Sequence, residues 1–153
     1  MEIIDFLKKR KEQKEEGDHW VIAETKEDGF PIIHRLKMSV PDGISISDYP
    51  FLLSILWEYE TEDNSRMPSE EQNEQQLNFD DALDKMDNNG NGTMMLAITG
   101  NGRKEWVWYI KDPQVWSTEL HECLQGHPVY PLDIEKSEDP EWETWKTFRD
   151  SCK

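Results

Sequence analysis

Six consecutive segments between residues 49 and 134 alternate between strand-like and helix-like patterns, and this order limits the possible folds most strongly. Apolar runs with a period of two are separated by a polar helical stretch, a tight turn and a capped helical stretch. In chain order the segments are Tyr49–Tyr59 (strand), Ser69–Met86 (helix), Thr93–Thr99 (strand), Lys104–Lys111 (strand), Asp112–Gly126 (helix) and Pro128–Ile134 (strand). This βαββαβ order predicts an α+β sandwich of the ferredoxin-like kind.

Further elements are predicted on both sides of this run. The chain of 153 residues is long enough for one domain with a real core, which we place at residues 18–153, after an N-terminal helix within residues 1–17. Two strands, His19–Thr25 and Pro31–Met38, flank a turn-forming Asp28-Gly29 and predict an added β-hairpin. Asp139-Pro140 has the residue types of a helix start, which predicts a C-terminal helix with Asp139 as its N-cap.

Negative charge is concentrated in one part of the chain. The net charge is -16 at pH 7, and the stretch Glu58–Asp87 holds eleven acidic residues against two basic ones. Such a surface repels a phosphate backbone, which argues against direct nucleic-acid binding. Two interpretations stay open, a solvated surface that keeps the protein in solution and a docking face for a basic protein partner. The residues of the candidate docking face are Glu60, Glu62, Asp63, Glu70, Glu71 and Glu74.

Segment lengths and cysteine content favour a cytoplasmic protein. No stretch approaches the ~20 apolar residues of a membrane span, and the charges of the N-terminus follow its short apolar patch rather than precede it, unlike a secretory signal. Two cysteines do not make a disulfide framework, although a bridge between Cys123 and Cys152 stays open.

Two motifs invite a metal interpretation, and neither supports one. Asp87–Gly92 matches the first half of an EF-hand loop, but Ile98 stands where the bidentate Glu is required, so we interpret the segment as a polar turn after a helix. His121 and Cys123 are two positions apart on a predicted helix and point to different sides, so with His127 they do not form a zinc site. We predict no metal and no cofactor.

No catalytic signature is present, because nucleophile elbows, metalloprotease motifs and phosphate loops are all missing from the sequence. An enzyme with an unrecognised site is the first alternative, with Arg35, Trp57, Arg103 and Trp106 on an open sheet face as its candidate ligand residues. For the two arginines, a surface salt bridge is the competing interpretation. A small-ligand or structural module is the second alternative.

The ordered motifs resemble those of a bacterial family, the domain of unknown function numbered six-nine-five, over about residues 18 to 150. They are Trp57-Glu58-Tyr59, Pro68 followed by acidic residues, Phe79–Leu83, Thr99-Gly100-x-Gly102-Arg103-x-x-Trp106, Tyr109 and Asp139-Pro140-Glu141-Trp142. The resemblance implies a small cytosolic α+β domain, joined in some members to a domain similar to regulator of ribonuclease activity B. It carries no catalytic residue over. We therefore predict a cytoplasmic, non-enzymatic binding or regulatory protein, with inhibitors and immunity proteins as the model types.

Overall fold

The computed structural model describes residues 20–61 and 64–152, so the helix predicted within residues 1–17 lies outside the described residues. Within these ranges the chain forms six β-strands and three α-helices, an α+β fold as predicted. In chain order they are β1 (Trp20–Glu27), β2 (Phe30–Lys37), β3 (Phe51–Glu58), α1 (Glu70–Ala82), β4 (Gly92–Gly100), β5 (Arg103–Ile110), α2 (Pro113–Cys123), β6 (Leu132–Glu138) and α3 (Glu143–Ser151).

The six strands form one sheet in the order β1-β2-β4-β5-β3-β6, and every neighbouring pair is antiparallel. The predicted N-terminal hairpin is present as β1 and β2, and β3 lies inside the sheet, as its two apolar faces predict. Asp28-Gly29 and Asn101-Gly102 close the two hairpins with positive φ at both residues of each turn. Such two-residue turns match the right-handed twist of the flanking strands, so short local signals determine both hairpins.

The sheet separates two apolar cores, because the side chains of its inner strands are apolar on both faces. The first core lies under α1 and α2, and the second lies under α3 and the segment that precedes β3. Six of the seven tryptophans are almost completely buried: Trp57, Trp106, Trp108 and Trp116 in the first core, and Trp142 and Trp145 in the second. Cys123 packs against the first core and Cys152 against the second, and both thiols are free, so they do not form a bridge.

The first two helices begin where their capping residues predict. Ser69 Oγ accepts a hydrogen bond from the backbone N–H of Gln72 at the start of α1, and Asp112 caps α2 with Pro113 in its first turn. A capping box would also need a hydrogen bond from the backbone N–H of Ser69 to the side chain of Gln72. This bond is not formed, because the buried Oε1 of Gln72 has no hydrogen-bond partner among the described residues.

The start of α3 differs from the prediction. The helix begins at Glu143 rather than at Pro140, and its N-cap is Trp142, whose φ of 57° lies in the left-handed region. The indole Nε1 of Trp142 donates to the carbonyl of Tyr49 at 2.9 Å, and its ring stacks on Tyr109 at 4.3 Å. These tertiary contacts hold a backbone conformation that local propensity disfavours. Asp139 still caps the first turn, because its carboxylate accepts the backbone N–H groups of Glu143 and of the next residue.

The bounds of β6 also differ from the prediction. The strand runs over Leu132–Glu138, whereas the sequence favoured Pro128–Ile134. Because β6 is an edge strand, nearly all of its side chains are exposed and polar, and it lacks the apolar alternation by which the other strands are recognised.

Candidate functional site

Helix α1 presents an acidic surface to solvent. Its thirteen residues include five acids and no basic residue, and Glu70, Glu71 and Glu74 are all exposed. Glu60, two residues after the end of β3, is exposed as well. We call Glu60, Glu70, Glu71 and Glu74 the acidic face. Within the part of the chain that the structure describes, none of these four carboxylates forms an ion pair.

Hydrogen bonds fix the described residues between β3 and α1 at one end of the sheet. The hydroxyl of Tyr59 donates to the carbonyl of Arg66 at 3.2 Å, and the N–H of Gly102 donates to the same carbonyl at 3.0 Å. These bonds bring the residues before α1 back to the end of the sheet where Glu60 lies. Glu62 and Asp63, the other two residues of the predicted docking face, lie outside the described residues.

The inner side of α1 contacts the sheet through few buried residues. Phe79 is fully buried, and one turn earlier Gln76 is fully buried as well. Neither the amide nitrogen nor the amide oxygen of Gln76 has a hydrogen-bond partner among the residues that the structure describes. Burying an amide without hydrogen-bond partners costs desolvation free energy. The packing of α1 on the sheet is therefore less stable than it would be with an apolar residue at position 76.

The two tryptophans of the predicted ligand face do not line an open surface. Trp57 and Trp106 are each 1% exposed, and the ring of Phe79 covers both at centroid distances of 6.2 and 4.9 Å. Tyr130, from the segment before β6, packs on Trp57 at 5.2 Å. These aromatic side chains therefore belong to the first core, and they are not available to stack on nucleic-acid bases.

The two arginines of the predicted ligand face lie apart and are both paired. Arg35 on β2 contacts Asp80 of α1 at 2.9 Å, whereas Arg103 on β5 contacts Glu27 at 3.2 Å. Burial lowers the pKa of Lys104, which is in register with Trp57, and the nearby charge of Asp80 partly offsets this effect. Arg35, Trp57, Arg103 and Trp106 thus do not form one exposed face, and the arginines make the ion pairs of the competing interpretation.

The loop that resembles an EF-hand has a structural role. The carboxylate of Asp87 accepts from the ammonium of Lys37 at 3.0 and 3.1 Å, from the hydroxyl of Thr93 and from the backbone N–H of Met94. Asn91 exchanges two hydrogen bonds with the backbone of Asp112. Asp87 therefore joins β2 to the start of β4. Among the described residues, no three His, Cys, Asp or Glu side chains are grouped so that they could hold a metal ion.

A groove that the sequence did not reveal opens beside α1. It has a volume of about 440 Å³ and lies between the second half of α1 and the segment from Gly126 to Tyr130. Asp81 and two amide side chains line one wall, and His127 lines the other, with a 2.8 Å hydrogen bond between its Nδ1 and the hydroxyl of Tyr130. Because its walls are about fifty positions apart in the sequence, no local pattern predicts it.

The fold and the surface of the described residues together define a small α+β domain with two cores, an acidic helix and a lateral groove. A family model described as "Family of unknown function (DUF695)" matches residues 18–148, so the chain belongs to this family. The family resemblance noted from the sequence motifs is thereby confirmed. No curated protein and no solved structure matches the chain. Of the helices in the described ranges, none has the length and apolar character that a membrane crossing requires.

Proposed function

We propose that this protein is a cytoplasmic, non-enzymatic binding or regulatory module whose acidic face engages a basic protein partner, in the manner of an inhibitor or immunity protein. The observation that carries the proposal is that Glu60, Glu70, Glu71 and Glu74 are exposed and form no ion pair with a described residue. Complementary charge on a partner would raise the association rate and favour that partner over others.

Spacing along α1 makes this negative surface unfavourable for the isolated domain. Glu70 and Glu74 are four positions apart and Glu71 and Glu74 three, so their side chains are neighbours on the helix and repel one another. The first-turn glutamates gain some stability from the helix dipole, but Glu74 lies beyond the first turn. A cationic surface bound here would attract the three carboxylates and so offset their mutual repulsion.

The arrangement of the sheet supports binding at the helical surface rather than on the sheet. We propose the ferredoxin-like arrangement for residues 51–138, because the order β4-β5-β3-β6 with α1 and α2 over one face is what a βαββαβ sandwich requires. The opposite face of such a sandwich is available for ligands unless another element covers it. Here α3 packs on that face through Trp142 and Trp145, which leaves less open sheet for a ligand.

The proposal is tested by reversing charge on the acidic face. Tagged wild-type protein and the variant E70K/E71K/E74K are used to capture partners from a lysate of the source organism. A matched control, D133K/E135K/E138K, reverses three acids on β6 that are also exposed. We expect a protein of net positive charge to bind the wild type and the control and to be lost with the α1 variant. Capture that survives the α1 reversal, or that depends on the β6 acids instead, would show that the acidic face does not engage the partner.

A further inference from the structure

We infer that the groove beside α1 receives an arginine side chain of the basic partner. This inference rests on the proposed function and names the group that the partner inserts. The polar residues of the groove wall on α1 are Gln75, Asn78 and Asp81, which recur at intervals of three on one flank of the helix, and Ala82 completes this wall. Two amide side chains and one carboxylate therefore line a space of about 440 Å³, within the range of roughly 300–1,000 Å³ that is usual for ligand pockets.

The charge of Asp81 is the strongest reason for a cationic occupant. Asp81 is exposed in the last turn of α1, where the helix dipole is negative and no basic residue is present. Its neighbour Asp80 is neutralised by Arg35 at 2.9 Å, whereas Asp81 forms no ion pair with any residue in the described ranges. A carboxylate at this end of a helix is unfavourable until a cation approaches it.

The opposite wall is held rigid by contacts with the first core. The ring of Tyr130 packs on Trp57 at 5.2 Å and on Phe79 at 5.6 Å, and its hydroxyl is paired with His127. An aromatic side chain packed in this way can present its ring to a guanidinium plane. Val129, fully exposed between the lining residues Pro128 and Tyr130, offers an apolar contact to the residue beside the arginine.

Arginine fits this combination better than lysine does. A guanidinium carries five N–H donors in a planar fork, so one group can serve the carboxylate of Asp81 and the amide oxygens of Gln75 and Asn78 together. The ammonium of lysine has three donors and no plane to stack on Tyr130. The groove is also continuous with the acidic face, because Glu71, Gln75 and Asn78 follow one another at intervals of four and three along α1. Over the ten positions from Glu71 to Asp81 the helix rises about 15 Å, enough for several residues of an extended basic segment.

The inference is tested by titrating ¹⁵N-labelled protein with N-acetyl-arginine amide, and in parallel with the uncharged isostere N-acetyl-citrulline amide. We expect saturable shifts of the backbone amides of Asn78, Asp81, His127 and Tyr130 with the arginine probe and much smaller ones with citrulline. Asp81→Asn should weaken arginine binding at least about fivefold, whereas Asp133→Asn, the same charge change on β6, should leave it unaltered.

Three results would overturn the inference, and a fourth would contradict the proposed function alone. Equal shifts of the groove amide resonances with the citrulline probe would show that binding does not depend on the charged guanidinium. Shifts of the groove amides with protein concentration alone would identify a second copy of the chain as the occupant. If a peptide of three arginines shifts the backbone amide resonances of Glu70, Glu71 and Glu74 alone, the peptide binds the acidic face and the groove is excluded as an arginine site. Arginine binding in the groove together with a partner that tolerates E70K/E71K/E74K would contradict the proposed function and not the groove.

Discussion

Removing the negative charge of Asp87 should strongly destabilise the protein, because this carboxylate neutralises a buried ammonium. The side chain of Lys37 is 1% exposed and contacts both carboxylate oxygens of Asp87, which is itself 22% exposed. The ammonium also donates to Thr93 at 3.0 Å and lies 5.1 Å from the ring of Trp20. Replacing Asp87 by Asn keeps the size of the side chain and one acceptor oxygen, but it removes the charge and puts an NH2 donor where the second oxygen accepts from Lys37.

The expected loss follows from the difference in burial between the two partners. Breaking a buried ion pair by removing one partner costs about 3–5 kcal/mol, and the retained oxygen and partial exposure at position 87 reduce this to about 2–4 kcal/mol for Asp87→Asn. Lys37→Met removes the buried charge itself, and the carboxylate keeps its bonds from Thr93 and the N–H of Met94. That variant should therefore lose less stability than Asp87→Asn, about 0–2 kcal/mol.

The free energies of unfolding are measured by urea denaturation at pH 7, followed by tryptophan fluorescence and circular dichroism, with equal m-values as the check on two-state behaviour. The control is Asp150→Asn, because Asp150 is 57% exposed in its pair with Arg149 and should contribute only about 0–1 kcal/mol. The reasoning is refuted if Asp87→Asn lies within the range of this control, or if Lys37→Met costs more than Asp87→Asn.

Three further predictions concern buried or strained positions. Gln76→Met should raise the free energy of unfolding by about 1–2 kcal/mol, because it removes a buried amide that has no partner among the described residues. The control Gln75→Met, on the exposed side of α1, should change the free energy of unfolding by less than about 0.5 kcal/mol. A Gln76→Met variant that is less stable than the wild type would contradict this prediction. Gly100→Ala should cost about 2–5 kcal/mol in the same assay, since φ is 145° and the new Cβ would lie 2.5 Å from a carbonyl oxygen of β2; near-wild-type stability would show that no strain exists. Burial raises the pKa of Asp139, but hydrogen bonds from Tyr109 and from two backbone N–H groups of α3 outweigh it and hold the pKa below its usual value. Because the folded pKa is lowered, the stabilisation is present above the unfolded pKa of about 3.9 and is lost as the pH falls through the folded pKa. Acid unfolding curves should therefore show that the wild type is more stable than Asp139→Asn at neutral pH and that this difference vanishes below about pH 4. A difference in stability that persists below this pH would contradict the assignment.

Local signals in the sequence account for most of the sheet. β3 was predicted within two residues at each end because its apolar residues alternate, and both hairpins follow from Asp-Gly and Asn-Gly turns. The start of α3 depends instead on Trp142, whose left-handed backbone is held by contacts with Tyr49 and Tyr109 far away in the chain. Such contacts do not exist until the fold forms, so capping rules alone placed the helix three residues too early.

The candidate site divides in the same way between local and tertiary information. The exposure of Glu70, Glu71 and Glu74 follows from the polar pattern of the first half of α1. The groove does not, because Asp81 and Tyr130 meet only after α1 and the segment before β6 have packed on the first core. Trp57 was predicted on an open sheet face, and this was wrong because a strand pattern cannot show that Phe79 covers it.

The affinity of the captured basic partner for the acidic face tests the central claim most directly. Isothermal titration calorimetry at low and at physiological ionic strength compares wild type, E70K/E71K/E74K and the β6 control D133K/E135K/E138K. We predict that reversal on α1 raises Kd at least about tenfold at low ionic strength and that physiological salt narrows this difference, since exposed charges are screened over about 8 Å at 0.15 M. A Kd that is the same for wild type and the α1 variant at both salt concentrations would contradict the account.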